Sequence, residues 1–324
     1  MKKILLTNHY EGEPLRILES VVPEGFRVVV LDRPDREELL RKIPEADYLL
    51  VSGRLPVDAP TLSRAPRLKM VQRTGVGTEM LDLEALAKKN IPVYVNAGIN
   101  AGSVAEHTVT LILASLKRLP SVNAAVHGGI WKKQETGVRC RELAGKTVGL
   151  VGMGNIGRRV AAMLNAFSCR ILYTDVFRSD AKVEEDLALT YCPDLASLVP
   201  EVDILSFHCP LTAENRHCLD AVQIARMKPG AVVVNTARGK LIDSQALANA
   251  LREGRIGAVA LDVHEDEPIP EDYPFLHMEQ AILTPHIGGL SRDAFASMMH
   301  GAMDNIRRYD AGDREAIRSK KLMI

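Results

Sequence analysis

The chain has 324 residues, 46% of them hydrophobic, and its 41 Lys and Arg balance 41 Asp and Glu to a formal net charge of zero. That balance removes the electrostatic ground for expecting nucleic acid or an anionic membrane as partner, and no apolar run approaches the roughly 18 residues of a membrane span. Single cores stop growing at about 250 to 300 residues, so two domains are expected.

The amino-terminal MKKILLTNHY carries two lysines, but its apolar run ends at Leu6, short of the roughly 7 to 15 residues of a signal-peptide core. It reads as a first strand. Up to about residue 95, KILLTN, FRVVVL, DYLLVS, LKMVQ and IPVYV alternate with helical patterns such as Pro34 to Lys42 and Asp82 to Lys89. Such alternation is the mark of βαβ units on a parallel sheet. A long apolar helix over roughly Gly102 to Leu119 then breaks the rhythm and leads toward a second domain. From Lys146 the alternation restarts with KTVGLVG, CRILYTD, VDILSFH, GAVVVNT, IGAVALDV and QAILTP. A helix over Asp243 to Glu253 has an acidic cap in front and Gly254 behind. The final helix, from about Ser291, is expected to pack back on the first domain without a further sheet partner. Five cysteines, at 140, 169, 192, 209 and 218, are odd in number and lack C-x-x-C spacing, which points to free thiols in a reducing compartment, the cytoplasm.

VGLVGMGNIGRR, Val148 to Arg159, sets Gly152, Gly154 and Gly157 behind a buried strand and ahead of a helical stripe at Ile156, Val160, Met163, Leu164 and Phe167. In that context Gly152 allows a tight turn, Gly154 lets backbone approach a pyrophosphate, and Gly157 permits close helix-to-strand packing. Asn155 and Ile156 open the helix. Asp175 ends the next strand, eighteen residues after Gly157, where a carboxylate accepts hydrogen bonds from an adenosine ribose and repels a 2'-phosphate. That favours NAD over NADP, with Arg178 nearby as the contrary signal.

Three later segments end strands: VVVNTARGKLID with Arg238, VALDVHEDEP with Asp262 and Glu267, and ILTPHIGGLS with His286. Ligands of open α/β sheets bind outside such strand ends. Reduction of a 2-oxo acid by a nicotinamide needs a cation for the carboxylate, a proton donor for the carbonyl oxygen, and a group that tunes the donor. Arg238, His286 and Glu267 supply these three types.

Across nearly its whole length the chain resembles the D-isomer-specific 2-hydroxyacid dehydrogenases. RTGVG, AGINAGSVAEH, GIWKK, ELAGKTVGLVGMGNIGRRVA, FHCPLTAENRH, MKPGAVVVNTARG, ALDVHEDEP and TPHIGG stand in family order. The resemblance implies an α/β fold of two doubly wound parallel-sheet domains. A flavodoxin-like substrate domain would span residues 1–100, completed by 288–324, and a Rossmann cofactor domain would span 101–287, with hinges near 98–102 and 287–290. It implies that Arg238 binds the substrate's carboxylate and carbonyl, that Glu267 pairs with His286, and that His286 donates the proton. Asp262 would hold the nicotinamide carboxamide, with His208, Pro210, Thr236, Ala237 and Gly288 also on the cofactor. Backbone at Val76 and Gly77, with Arg73 and Asn100, would meet the substrate, and homodimers would form around Ala101 to Trp131. Arg73 reads equally as an anion-binding group or a surface ion pair.

Departures from the family pattern fall at Glu79 and Met80, at Asn96, Ala97 and Gly98, and at His264. Hydroxypyruvate, glyoxylate and 3-phosphoglycerate all stay open as substrates. His208, Cys209, His217 and Cys218 repeat a His-Cys pair nine residues apart, but adjacent residues on a strand face opposite ways, so no metal is expected. The alternative to an enzyme is a non-catalytic NAD(H)-sensing protein like the C-terminal-binding corepressors. The intact Arg, Glu and His favour the enzyme, as does the lack of basic tails, and Glu267 stands where formate dehydrogenases resemble a Gln.

Overall fold

The computed structural model describes residues 1–53, 55–315, 317 and 320–321. Residues 322–324, the end of the expected carboxyl-terminal completion, lie outside the described residues. The strands, in chain order, are β1 Lys2–Leu6, β2 Phe26–Val30, β3 Tyr48–Val51, β4 Met70–Arg73, β5 Val93–Val95, β6 Thr147–Val151, β7 Arg170–Thr174, β8 Leu189–Tyr191, β9 Ile204–Phe207, β10 Ala231–Asn235, β11 Ile256–Leu261, β12 Ala281–Leu283 and β13 Lys320–Lys321. Contacts divide the chain into two units, one of residues 1–100 with those from 290 on, the other Ala101–Gly289.

In the first unit the sheet order is β13-β5-β4-β3-β1-β2. All pairs are parallel except β13 on β5. Leaving β13 aside, this is the 2-1-3-4-5 order of flavodoxin-like sheets. Fully buried Leu5, Leu49, Val51, Val71 and Val93 pack on one face. On the other face lies the carboxyl-terminal helix Arg292–Asp310, started by the Ser291 hydroxyl accepting the Ala294 amide at 3.1 Å. Its Met298, Met299, Ala302, Met303 and Ile306 recur at helical spacing and meet Ile4, Leu6, Tyr48, Leu50 and Met70.

In the second unit the order is β12-β11-β10-β9-β6-β7-β8, parallel throughout. Counted from β6 this is the 3-2-1-4-5-6 order of dinucleotide-binding sheets, with a seventh strand at one edge. Strand β10, AVVVN, is buried at every residue, as a parallel sheet covered on both faces requires. Order reverses between β6 and β9, which opens a crevice at their carboxyl ends. Helix Ser244–Arg252 has the expected punctuation: the Asp243 carboxylate accepts the Ala246 amide, and Gly254 follows at φ 74°.

Local chemistry shortened one expected element and added two strands. The long helix ends at Leu116 rather than near Leu119, because Pro120 lacks an N–H and its ring would strike the carbonyl four residues back. Arg118 turns the chain at φ 52°, and a second helix, Leu119–His127, begins. Strands β8 and β13 were not anticipated: β8 is a three-residue edge strand with no fully buried position, and β13 gives the carboxyl-terminal segment a two-residue sheet partner. Among the described residues no single helix is long and apolar enough to cross a membrane.

The docking of the last helix predicts a specific cost. Ile306 is fully buried, so Ile306→Ala should lower the unfolding free energy of the first unit by about 2 to 4 kcal/mol in urea titration. A change within a few tenths of a kcal/mol would mean that this helix does not complete the core.

Candidate functional site

The glycine loop joins β6 to helix Asn155–Asn165. Gly152 takes φ 103°, and a Cβ there would stand 2.7 Å from the Cys209 amide nitrogen. A Cβ on Gly157 would stand 2.2 Å from the Gly152 carbonyl oxygen, so helix and loop touch through backbone alone. At Gly154, by contrast, a Cβ would meet nothing within 4 Å: the space in front of the helix is open. Gly154 caps the helix without a side chain, so the first-turn amides of Asn155, Ile156 and Gly157 face that space without an intrahelical acceptor. Asp175, just past β7, accepts the Met153 amide at 2.6 Å and the Phe177 amide at 3.3 Å. Arg178 forks onto Glu184 with two bonds of 2.9 Å and lies over the Tyr191 ring, so its guanidinium is engaged away from Asp175. Open space, uncapped amides and a carboxylate at the second strand end fit a dinucleotide without a 2'-phosphate.

Across the crevice, past β9, His208 hydrogen-bonds Ser206 through Nε2 at 3.0 Å, while its enclosed Nδ1 has no partner. Burial pushes this imidazole down to about 3, so it is neutral at physiological pH. An enclosed, unpaired ring nitrogen beside a glycine loop fits a crevice whose partner is a ligand. Pro210, exposed, accepts the Asn215 side-chain amide at 2.8 Å. His217 pairs with Glu265 at 2.9 Å and Cys218 donates to the Leu241 carbonyl, so the two His-Cys pairs serve separate neighbours.

Arg238, Asp262 with Glu267, and His286 follow β10, β11 and β12, adjacent strands in one parallel sheet. His286 is held at φ 58°, a left-handed conformation uncommon outside glycine, and such strain persists only where surroundings impose it. Glu267 imposes it from one side: Oε1 accepts the His264 amide and Oε2 contacts His286 Nδ1, each at 2.9 Å. Asp262 imposes it from the other, accepting the amides of Ile287 and Gly288 at 2.9 Å and the Thr284 hydroxyl at 2.6 Å. Burial alone would raise the Asp262 carboxyl; hydrogen bonds from His107, Thr284 and the two amides outweigh it and hold the group at about 2. Arg238 donates to the Ala237 carbonyl at 2.7 Å, and Asn235 ties the Arg238 carbonyl and the Ala237 amide together. A Cβ on Gly239 would fall 2.0 Å from the His264 backbone, so the Arg238 loop is pressed directly against the segment that carries Glu267.

Several supporting residues escaped the sequence reading. Ser103, His107 and Thr108 lie along helix Ala101–Leu116, bonding to the Gly288 carbonyl at 2.7 Å, Thr284 at 3.1 Å and Thr236 at 2.9 Å. The i, i+4 spacing of Ser103 and His107 in SVAEHT, with Thr108 next to His107, was the available signal. In the first unit, Arg73 Nε and Nη1 donate to the carbonyls of Gly77 and Val51 at 2.8 and 2.9 Å, curling the loop that exposes Val76. Asn100 is part-buried in the turn that closes this unit. Asn96, a departure from the family pattern, is buried with Gln72 and Asn305 and donates to the Met298 carbonyl at 2.9 Å.

The model of the D-isomer specific 2-hydroxyacid dehydrogenase NAD-binding domain matches residues 109–288. The chain is 39% identical over 295 residues to D-3-phosphoglycerate dehydrogenase of Methanocaldococcus jannaschii, covering 91% of this chain and 55% of that one. It thus spans about half the length of the curated D-3-phosphoglycerate dehydrogenases it matches. With glyoxylate reductase of Aeropyrum pernix it is 37% identical over 320 residues, 96% of this chain and 93% of that one. The crystal structure of D-lactate dehydrogenase from Aquifex aeolicus, complexed with NAD and lactic acid, superposes with a TM-score of 0.83 at 27% identity over 98% of each chain. The matched domain is NAD-binding, and the chain belongs to the D-isomer specific 2-hydroxyacid dehydrogenase family.

Proposed function

We propose that the protein is an NAD-dependent oxidoreductase that interconverts a small 2-oxo acid and its D-2-hydroxy acid. The observation that carries this reading is the Glu267–His286 contact of 2.9 Å, set in loops beside the Arg238 loop. Arg238 offers a planar fork to the substrate's carboxylate and carbonyl. His286 Nδ1 faces Glu267, and in this reading its Nε2 is the atom that gives the proton to the carbonyl oxygen. Bound NADH supplies the hydride that completes the reduction. The proton from His286 ends on the hydroxyl oxygen of the product. In the reverse direction His286 takes the hydroxyl proton.

Gly152, Gly154, Asn155, Ile156 and Gly157 are assigned to the pyrophosphate and Asp175 to the ribose. His208, Pro210, Thr236, Ala237, Asp262 and Gly288 are assigned to the remainder of the cofactor, with Asp262 on the carboxamide. Val76, Gly77 and Asn100 are assigned to the substrate; the bonds of Arg73 to two backbone carbonyls support a bracing role for it in the same loop. The near full-length likeness to a glyoxylate reductase favours a short 2-oxo acid such as glyoxylate or hydroxypyruvate.

A homodimer through the 101–131 region is part of the reading. Leu119, Val126, Ile130, Trp131 and Val138 are 48 to 84% exposed within twenty residues, a density of apolar surface that a lone chain rarely leaves in water. The five free cysteines accord with a cytoplasmic setting.

NADH oxidation against a panel of 2-oxo acids tests the reaction; inactivity toward all of them, with NADH still bound, would assign the chain to NAD(H) sensing. The proton donor has a sharper signature. The imidazolium is the donor, so reduction should fall on the alkaline side as His286 loses its proton. The Glu267 carboxylate favours the charged ring, and Glu267→Gln should therefore displace that limb to lower pH. A limb that stays in place would rule out the pairing as the source of acidity. At the cofactor end, Asp175→Ala should raise the KM for NADH about tenfold and narrow the preference over NADPH, with kcat largely kept. Equal discrimination in the variant would remove Asp175 from the ribose. Sedimentation velocity should give a dimer for the native chain and a monomer for the Ile130→Asp, Trp131→Asp double variant. A dimer in both would move the interface elsewhere.

A further inference from the structure

A second concave site lies in the Ala101–Gly289 unit, at the opposite ends of the strands that carry the candidate catalytic loops. It is a cavity of about 200 Å³. Gly230, Gly257 and Gln280, at the starts of β10, β11 and β12, form its floor, and the carboxyl-terminal end of helix Ala101–Leu116 forms one wall. Strands of five or six residues separate it from the cofactor crevice by roughly 15 to 20 Å.

Its chemistry is that of an oxyanion site. Arg118, Arg139 and Arg141 line it, and among the described lining residues Glu279 is the only carboxylate. Arg118 pairs with Glu279 at 3.1 Å, whereas Arg141 donates to the neutral carbonyl of Gly230 at 2.8 Å and keeps its charge unbalanced. Arg139 is exposed at the rim. A helix carboxyl terminus ordinarily repels anions, but here its carbonyls already have donors: Ser115 accepts the Arg118 amide, Leu116 the Arg141 amide and Lys117 the Cys140 thiol. Independent of the charges, Ser115 also lines the cavity, is only 7% exposed, and its hydroxyl has no hydrogen-bond partner. A buried hydroxyl without a partner is a departure that a bound acceptor would remove.

We propose that this cavity binds a small oxyanion, a phosphate or carboxylate group, held by Arg139 and Arg141 and accepting a hydrogen bond from the Ser115 hydroxyl. Nothing in the dehydrogenase reading requires such a site, and it shares no residue with the glycine loop or with Arg238, Glu267 and His286.

Calorimetric titration of the full chain tests it. NADH is kept saturating so that the glycine loop is filled, ionic strength is fixed, and the protein is used in whatever oligomeric state it is isolated. Sodium phosphate and sodium citrate are the separate probes. At least one should bind outside the reaction crevice, with that binding kept in an Arg238→Gln variant; phosphate alone would point to a free phosphate or phosphate ester as the natural ligand, citrate alone to a carboxylate. Arg139→Gln should weaken that binding about tenfold and Ser115→Ala about fivefold, with NADH affinity unchanged. Arg139 is exposed and Ser115 loses only a hydroxyl, so both variants should fold. Absence of binding by both probes, or equal affinity in both variants, would overturn the proposal. The titration involves no turnover, so its failure leaves the proposed reaction untouched.

Discussion

The Glu267 carboxylate is the interaction on which the rest of the candidate site depends. One oxygen fixes the backbone of its own loop at His264 and the other meets the His286 ring, so a single side chain joins the loop after β11 to the loop after β12. The same segment carries His264, whose ring bridges the Tyr273 hydroxyl and the Thr284 carbonyl at 3.0 Å each. It also presents the backbone against which Gly239 presses, which sets where the Arg238 loop can go. Glu267 has a side chain only 13% exposed, so its interaction with His286 is screened less than that of a surface pair.

Parallel pairing is what lets so few residues control three loops. Because β10, β11 and β12 run in one direction, their carboxyl ends emerge side by side, about 4.8 Å apart per strand, and each contributes its following residues to the same edge. Helix Ala101–Leu116 crosses behind them and braces that edge through Ser103, His107 and Thr108, while its apolar face, with Ala105, Val109 and Ile112, is buried against the sheet. One helix thus supports the core and the loops together. Asp262 works in the same place: its carboxylate accepts the two amides that shape the turn after His286, so its loss would disturb that backbone.

Much of this was legible in the residues because it rests on local rules. The periods of the longer strands, the Asp243 cap and the glycine loop each depend on a few neighbouring positions and read correctly, whereas the short edge strands β8 and β13 offered no such pattern. The order of the family motifs then carried Arg238, Glu267 and His286 to adjacent strands. Tertiary partnerships were less visible. Thr284 and His107 look like ordinary residues until the helix and β12 come together around Asp262, and Arg73, which resembled an anion ligand or a surface pair, bonds to two carbonyls of its own unit. Asn96 departs from the family pattern for a reason that only packing reveals, since a buried amide needs partners: Gln72 and Asn305 donate to its Oδ1, and the Met298 carbonyl accepts from its Nδ2. The break at Arg118 follows from Pro120, a signal present in the sequence but outweighed by the apolar run before it.

The most direct test of the account is the fate of a label. With NADH deuterated at C4 on the transferred side and glyoxylate or hydroxypyruvate as acceptor, the account predicts one deuterium at C2 of the product, seen by NMR. With hydroxypyruvate, the product should also have the D configuration by chiral chromatography. Deuterium lost to solvent, an L product, or no labelled hydroxy acid from any 2-oxo acid while NADH remains bound would contradict it.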